Sequence, residues 1–290
     1  MYAYQGEHCA LTCVLIWHAV LRTGITPSAS GSSYYELSTP PSPTKTSPFL
    51  PPTSSLKISC TVHGPHPLPR SAPYNSSLLL NTTVKFAPFA TRHRRGYVRD
   101  ATERDLSAHL ETALRGVIIG ERWPKSGVDV VITVLEGEED SWWGDEGTGG
   151  AFGIGGWGLM SVLAGAITAS SAALVDAGID CVDVISGGVA AAVGQAGDQQ
   201  ETVLDPAPAE HENVMSCCVV GYLEARDEIT ELWVKGDAGV HSAILLDKAV
   251  EAASASRAVL VDAVMDVAKA KFPDAIKGKA PLGGDVEMAG

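Results

Sequence analysis

The sequence has few cysteines, and they lack the spacings in which cysteine usually carries chemistry. Six cysteines are spread over 290 residues, and no two of them form a Cys-x-x-Cys pair. A small disulfide-held scaffold and a cysteine-rich zinc module are therefore excluded, because both need closely spaced cysteines. We expect a chain that stays in a reducing compartment.

Long apolar runs and targeting signals are also scarce. The best candidate for a membrane span, residues 159–175, is interrupted by Gly165 and is rich in Ala, Ser and Thr. The apolar stretch near the N-terminus lacks the basic residues that open a signal peptide. The sequence therefore predicts no membrane partner and no secretion.

Positive charge is in short supply, but it is unevenly distributed. Lys and Arg number 21 against 34 Asp and Glu, which gives a net charge of −13. Residues 1–125 hold 13 basic and 7 acidic residues, whereas residues 126–290 hold 8 and 27. An acidic average argues against a nucleic-acid partner, because phosphates repel it. The basic first half removes that objection.

Common nucleotide, hydrolase and metal motifs are missing or out of context. Gly153–Gly158 satisfies G-x-G-x-x-G, but the preceding predicted strand ends near Leu135, too far away for a dinucleotide-binding loop. His211 with Cys217 and Cys218 suggests a metal or thiol site, yet strand alternation sends adjacent cysteines to opposite faces. We predict no metal site, no catalytic residues and no cofactor.

Most of the prolines lie in the first part of the chain. Eleven of the seventeen prolines lie before residue 75, and residues 38–55 form a proline-rich loop. The loop separates two strand-like segments, 33–37 and 56–62, which we predict to pair as a hairpin. A third strand is predicted at 78–86.

The rest of the chain alternates between helical and strand patterns. Thr102–Asp105 resembles a capping box, and Gly120 is a suitable helix stop. The patterns predict helices at 102–118, 159–177 and 242–270, and strands at 128–135, 181–185, 214–223 and 228–235. The result is an α+β fold with helices packed on mixed sheets. We expect one domain over 21–270 with insertions at about 38–55 and 136–158, an unassigned segment at 1–20 and a flexible tail at 271–290.

Four arginines in eight positions form the most informative cluster: Arg92, Arg94, Arg95 and Arg99, with Tyr97 between them. Such a run is often only a solvated face. Here it lies between a predicted strand and a helix start, so its backbone is held while its side chains project. One guanidinium group can bind two phosphate oxygens at once, and an aromatic ring can stack on a base. The cluster is therefore a candidate RNA-binding site.

Several ordered motifs resemble the RNase PH family. They are LRTGITPSASGSSYYEL at 21–37, KISCTVHGP at 57–65, the long segment at 84–119 that contains the arginines, and ALVDAGIDCVDVISG at 173–187. The resemblance implies a ribosomal-protein-S5-like β-α-β-α fold that packs into a six-membered ring around an RNA-threading pore. It also implies that the arginine cluster faces this pore, and that active relatives are phosphorolytic 3′ exoribonucleases.

The sequence departs from the active members of that family where catalysis would occur. Their phosphate-binding arginine, in a Gly-Gly-Thr-Arg turn, corresponds here to Leu163. Their two magnesium-binding aspartates, six residues apart, fall on His211 and Cys217, with Glu210 and Glu212 as displaced acids. Phosphoryl transfer between anions needs a cation and metal-holding carboxylates. Both halves of the catalytic site are therefore expected to be missing.

The resemblance thus implies a catalytically inert ring subunit of the RNA exosome. We expect a structural and RNA-guiding role in 3′–5′ RNA processing and degradation, including rRNA maturation. The expected partners are other RNase PH-like ring subunits, cap subunits and single-stranded RNA, in the nucleus and nucleolus and also in the cytoplasm. Two alternatives stay open: an active phosphate-dependent 3′–5′ exoribonuclease, and a stand-alone single-stranded RNA-binding protein.

Overall fold

The computed structural model describes residues 18–38, 55–90, 94, 96–137, 157–194, 201–206, 214–236 and 242–271. Within these ranges the chain forms nine strands in two sheets and three α-helices. The α+β class and the RNase PH-like order of elements are as predicted. Most of the predicted insertions, the N-terminal segment and the tail lie outside the described residues.

The first sheet has five strands, in the order β1-β2-β3-β5-β4. They are β1 (His18–Thr23), β2 (Gly31–Ser38), β3 (Ser55–Pro67), β4 (Leu79–Phe86) and β5 (Ser126–Glu136). The predicted hairpin is confirmed, since β2 and β3 pair antiparallel with Tyr35 opposite Ile58. Strands β4 and β5 are parallel, and helix α1 (Ala101–Arg115) connects them. Strand β1 begins inside the segment that the sequence left unassigned.

The second sheet has four antiparallel strands, in the order β7-β6-β8-β9. They are β6 (Ser186–Val193), β7 (Glu201–Leu204), β8 (Val214–Leu223) and β9 (Glu228–Gly236). The predicted hairpin of β8 and β9 is confirmed. The predicted strand at 181–185 is wrong, because there Cys181 makes only an isolated bridge to Ile118.

Helix α2 (Gly158–Asp176) lies between the two sheets and is buried along nearly its whole length. It is also the one helix among the described residues that is long and apolar enough to cross a membrane. Its hydroxyl groups have partners inside the fold: Thr168 Oγ1 accepts a hydrogen bond from the Gly187 N–H (3.0 Å), and Ser171 Oγ accepts one from the Ile185 N–H (3.0 Å). This helix is therefore the centre of the core.

Helix α3 (Ser242–Lys271) covers the other face of the second sheet, so β6 is enclosed between two helices. A Cβ atom on Gly187 would lie 2.3 Å from the Ala164 carbonyl oxygen of α2. One on Gly188 would lie 2.2 Å from the Ala253 nitrogen of α3. Strand β6 was not predicted from the sequence, because its Gly and Ala residues, which this close packing requires, have low strand propensity.

The start and end of α1 also differ from the prediction. The capping box is formed by Asp100 and Glu103, two residues before the predicted position, and the helix ends at Arg115. The apolar residues Val117 and Ile118 keep the helical spacing in the sequence, although they lie beyond the end of the helix. Gly120 is the first residue of a short 3-10 turn. The earlier start matters for the site, because it places Glu103 in the first turn.

Candidate nucleic-acid interface

The arginine cluster lies at one end of the first sheet. The strand registers place His18 opposite Ser38, Lys57 opposite Glu136 and Phe86 opposite Val134. The start of β1, the end of β2, the start of β3 and the ends of β4 and β5 therefore meet at the same end. Residues 87–100, which link β4 to α1, begin and finish there. The N-terminal segment and the two predicted insertions attach to the same end of the sheet.

One buried carboxylate holds both ends of the 87–100 segment. Glu103 is 3% exposed. Its Oε1 accepts a hydrogen bond from the Phe86 N–H (2.9 Å), and its Oε2 accepts one from the Asp100 N–H (3.1 Å). Phe86 ends β4 and Asp100 precedes α1, so the two oxygens fix the distance between the two ends of the segment. Because β4 is an edge strand, this bond also satisfies a backbone group that no neighbouring strand pairs with.

Ser107 extends this anchor along the same strand. Its Oγ donates to the Glu103 carbonyl oxygen (2.6 Å) and accepts from the Val84 N–H (2.9 Å). It also accepts a hydrogen bond from Nη2 of Arg99 (2.7 Å), whose side chain is half-buried. Arg99 therefore points back toward α1, and its guanidinium group helps to hold the segment.

Two described residues between the anchored ends, Arg94 and Tyr97, face solvent. Arg94 is exposed, and its Nη2 donates to the Tyr97 hydroxyl (3.3 Å). Tyr97 and Phe89 are each 73% exposed. Lys85 of β4 donates from Nζ to the Tyr97 carbonyl oxygen (3.3 Å). Cations and flat rings thus share one exposed surface, which can pair with phosphates and stack on bases.

The four arginines predicted to bind RNA are therefore in different situations. Arg94 projects into solvent as predicted, and Arg99 contacts Ser107. Arg92 and Arg95 lie outside the described residues. The sequence analysis did not identify Phe89 as exposed, because Ala-Pro-Phe-Ala after a strand reads as the end of an apolar core segment. It did not identify the anchoring role of Glu103 either, although an acidic residue in the first turn of a helix was a usable signal.

Two of the positions that correspond to the family's catalytic residues lie in the hydrophobic core. Leu163 is fully buried and Cys217 is 1% exposed, and both lie in the main core. Helix α2 contains no basic residue and strand β8 contains no carboxylate, so a small change of register restores neither group. Residues 210–212 lie outside the described residues. The described residues therefore do not fit phosphate and magnesium.

One small cavity lies near Leu163 in the part of the chain that the structure describes. A cavity of about 10 Å³ lies between Ser161 and Ala164 of α2, Asp205 and Ser256. That is room for about one water molecule, far less than a phosphate ion needs. Asp205 has a φ of 43°, and its Oδ1 accepts a hydrogen bond from the Val189 N–H (3.3 Å). Burial raises the pKa of this carboxyl group to about 6.

Comparison with curated proteins places this fold among exosome components. The chain is 48% identical over 254 residues to "Exosome complex component MTR3" of Chaetomium thermophilum, covering 85% of this chain and 84% of that protein. It is 28% identical to the protein of the same name from Schizosaccharomyces pombe, over 88% of this chain and 84% of the relative. The human protein of that name is 26% identical, over 76% and 71%.

A solved structure supports the same fold. A crystal structure of rice Rrp46 matches with a TM-score of 0.60 and 16% identity, and the match covers 85% of this chain and 94% of that chain. The family model described as "3′ exoribonuclease family, domain 1" matches residues 18–180. The identity with the Chaetomium thermophilum protein also extends beyond this match, since it covers most of both chains. The chain therefore belongs to the RNase PH family of 3′ exoribonuclease-like proteins.

Proposed function

We propose that this chain is a catalytically inert ring subunit of an RNA exosome, with a structural and RNA-guiding role in 3′–5′ RNA processing and degradation, including rRNA maturation. The 48% identity to an exosome complex component over most of both chains carries the assignment to the complex. Other exosome subunits, in the ring and in the cap, are then its protein partners.

The buried apolar residues at the family's catalytic positions support inertness. A phosphorolytic site must hold an anionic nucleophile next to an anionic substrate, and this needs fixed positive charge. Leu163 supplies none, and its burial leaves no path by which phosphate could reach it. An arginine introduced at position 163 alone would be a buried charge without a partner. A single substitution at this position would therefore not create activity.

The edge of the second sheet supports assembly with neighbouring subunits. On β9, Ile229, Leu232 and Val234 are 40%, 50% and 45% exposed. Leu232 and Val234 lie opposite Val220 and Cys218 of β8, which α3 buries. The apolar core thus continues to an uncovered edge strand, which is a poor surface for a stand-alone protein and a good one for a subunit interface.

The exposed part of the 87–100 segment supports the RNA-guiding role. Arg94 and Tyr97 face solvent, and Glu103 holds the two ends of the segment that carries them. The predicted arginines 92 and 95 belong to the same segment. We place the protein in the nucleus and nucleolus, and also in the cytoplasm, because the proposed RNA substrates are matured and degraded there.

One reconstitution tests both parts of the proposal. A ring assembled from this chain and its partner subunits, without any hydrolytic nuclease, is incubated with single-stranded RNA and inorganic phosphate. We expect no shortening of the RNA that depends on this chain. We also expect RNA to crosslink to the 87–100 segment, and the double variant Arg94→Glu, Arg95→Glu to weaken this crosslink while the ring stays intact.

Two results would overturn the proposal. Phosphate-dependent shortening that disappears when Glu210 or Glu212 is changed would mean that the chain is an active exoribonuclease. An unchanged crosslink in the double variant would mean that the arginines form only a solvated face.

A further inference from the structure

Phe89 is a large aromatic residue that is mostly exposed to solvent and does not pack in the core. It lies in the turn after β4, and 73% of it is exposed. The turn is well held: the Ala87 N–H donates to the Val134 carbonyl (2.9 Å), the Ala90 N–H donates to the Ala87 carbonyl (2.9 Å), and the Gly137 N–H donates to the Ala90 carbonyl (3.1 Å). The ring is therefore presented to solvent by a fixed backbone.

Tyr97 is a second ring presented in the same region. It is also 73% exposed, and Lys85 on β4 holds its backbone carbonyl. Lys85 lies four residues before Phe89, so this contact brings the Tyr97 end of the segment back to the strand from which Phe89 emerges. Two exposed rings therefore lie on the same end of one sheet.

The charge around the rings has one sign. Between Lys85 and Arg104 the sequence has six basic and two acidic residues, in a chain whose net charge is −13. One of the two acidic residues is the buried Glu103, whose carboxylate oxygens accept hydrogen bonds from the Phe86 and Asp100 N–H groups. This excess of positive charge attracts a polyanion. The ring of Tyr97 has one polar contact, a hydrogen bond from Arg94 to its hydroxyl, and the ring of Phe89 carries no polar group.

A flat, polyanionic ligand matches this combination. Phosphate groups alone need only the cations, as in binding to duplex nucleic acid. Exposed rings beside cations are typical of sites for unpaired nucleotides, because an unpaired base offers its flat face for stacking. We infer that Phe89 and Tyr97 are base-stacking positions, so that this surface takes single-stranded RNA through its bases as well as its phosphates. This inference rests on the proposed RNA-guiding function and adds the chemical contact.

Salt dependence separates stacking from phosphate pairing. In the assembled ring, binding of a 20-nucleotide oligo(U) is measured at several salt concentrations. We expect Phe89→Ala to weaken binding about 5-fold or more at each salt concentration, with the slope of log K against log salt unchanged. Arg94→Gln should instead reduce that slope by about 0.7, since it removes one phosphate contact. Phe89→Tyr keeps the ring and should bind like the parent.

The matched control is Tyr74→Ala. Tyr74 is 76% exposed, but it lies in the connection between β3 and β4, at the opposite end of the sheet. It should bind RNA like the parent. Equal loss in Tyr74→Ala and Phe89→Ala would mean that exposed rings matter only in a general way, which overturns the inference.

The remaining outcomes distinguish failure of this inference from failure of the proposed function. Parent-like binding by Phe89→Ala, with the slope change in Arg94→Gln intact, overturns stacking but keeps RNA guiding. A Phe89→Ala chain that no longer enters the ring would make Phe89 a subunit contact and also overturns stacking. If the parent segment does not crosslink to RNA at all, the proposed RNA-guiding function fails first.

Discussion

Replacing Glu103 by glutamine tests whether one buried carboxylate holds the two ends of the 87–100 segment. The carboxylate accepts two backbone hydrogen bonds, from Phe86 at 2.9 Å and from Asp100 at 3.1 Å. Glutamine has the same shape but only one acceptor oxygen, so one of the two N–H groups must face an NH₂ group instead. The change therefore breaks the link between the end of β4 and the start of α1.

The magnitude follows from the two bonds. Losing a charged hydrogen bond and leaving a buried donor unsatisfied costs roughly 1.5–3 kcal/mol, and the remaining bond loses its charge assistance. We expect the free energy of unfolding to fall by about 2–4 kcal/mol. For a domain of this size that lowers Tm by roughly 4–16 °C.

The assay combines urea denaturation with amide hydrogen exchange. Exchange in Glu103→Gln should accelerate at Phe86 and Asp100 and across residues 96–100, while α3 is protected as in the parent. The control is Glu111→Gln on the same helix, because Glu111 is paired only with Arg115 at the surface. Such a pair contributes at most about 0.5 kcal/mol.

Equal stability of the two variants, or unchanged exchange at Phe86 and Asp100, would refute the anchoring role of Glu103. The segment would then be held by Ser107 and by the turn at Ala87 alone. Measuring exchange both in the free chain and in the assembled ring shows whether neighbouring subunits take over the anchor.

Two further predictions concern stability away from this segment. Because the folded-state pKa of Asp205 is about 6 against an ordinary value of 3.8, the folded protein binds more protons in this window, and stability should fall as the pH rises from about 4 to 6. Asp205→Asn keeps an acceptor for Val189 and tolerates the positive φ, so its free energy of unfolding should exceed that of the parent by about 3 kcal/mol at pH 8 and match it near pH 3.5; a constant difference in urea midpoint would contradict this. Gly187→Ala should lower the stability by at least about 2 kcal/mol, because its Cβ would meet the Ala164 carbonyl at 2.3 Å, whereas Gly96→Ala, with open space around it, should not. Equal urea midpoints for the two variants would contradict the close packing of β6.

Sequence patterns predicted the elements whose burial is regular. Strand β3 alternates in burial from Leu56 to Val62, so its start was predicted to within one residue, although the strand continues to Pro67. Helix α2 is buried along nearly its whole length, and both of its ends were predicted to within one residue. Strand β6 was missed because Gly187 and Gly188 are selected by the helices on either side, and no local pattern reports a neighbour that is distant in sequence. The same reason explains Arg99. Its partner Ser107 reaches it only because α1 begins at Ala101 and crosses back over β4.

The charge division in the sequence acquires a structural meaning from the topology. The parallel pairing of β4 and β5 requires α1 as a crossover, and α1 starts at the sheet end where β4 finishes, so Arg99 and Asp100 lie close to that end. Four of the 13 basic residues of the first half lie on the 87–100 segment, whose two ends are tied to Glu103, while β9, with its exposed apolar residues, belongs to the acidic second half. An acidic protein can therefore present a basic surface, because the sign of the charge at a contact depends on the segment that the fold presents there and not on the average over the chain.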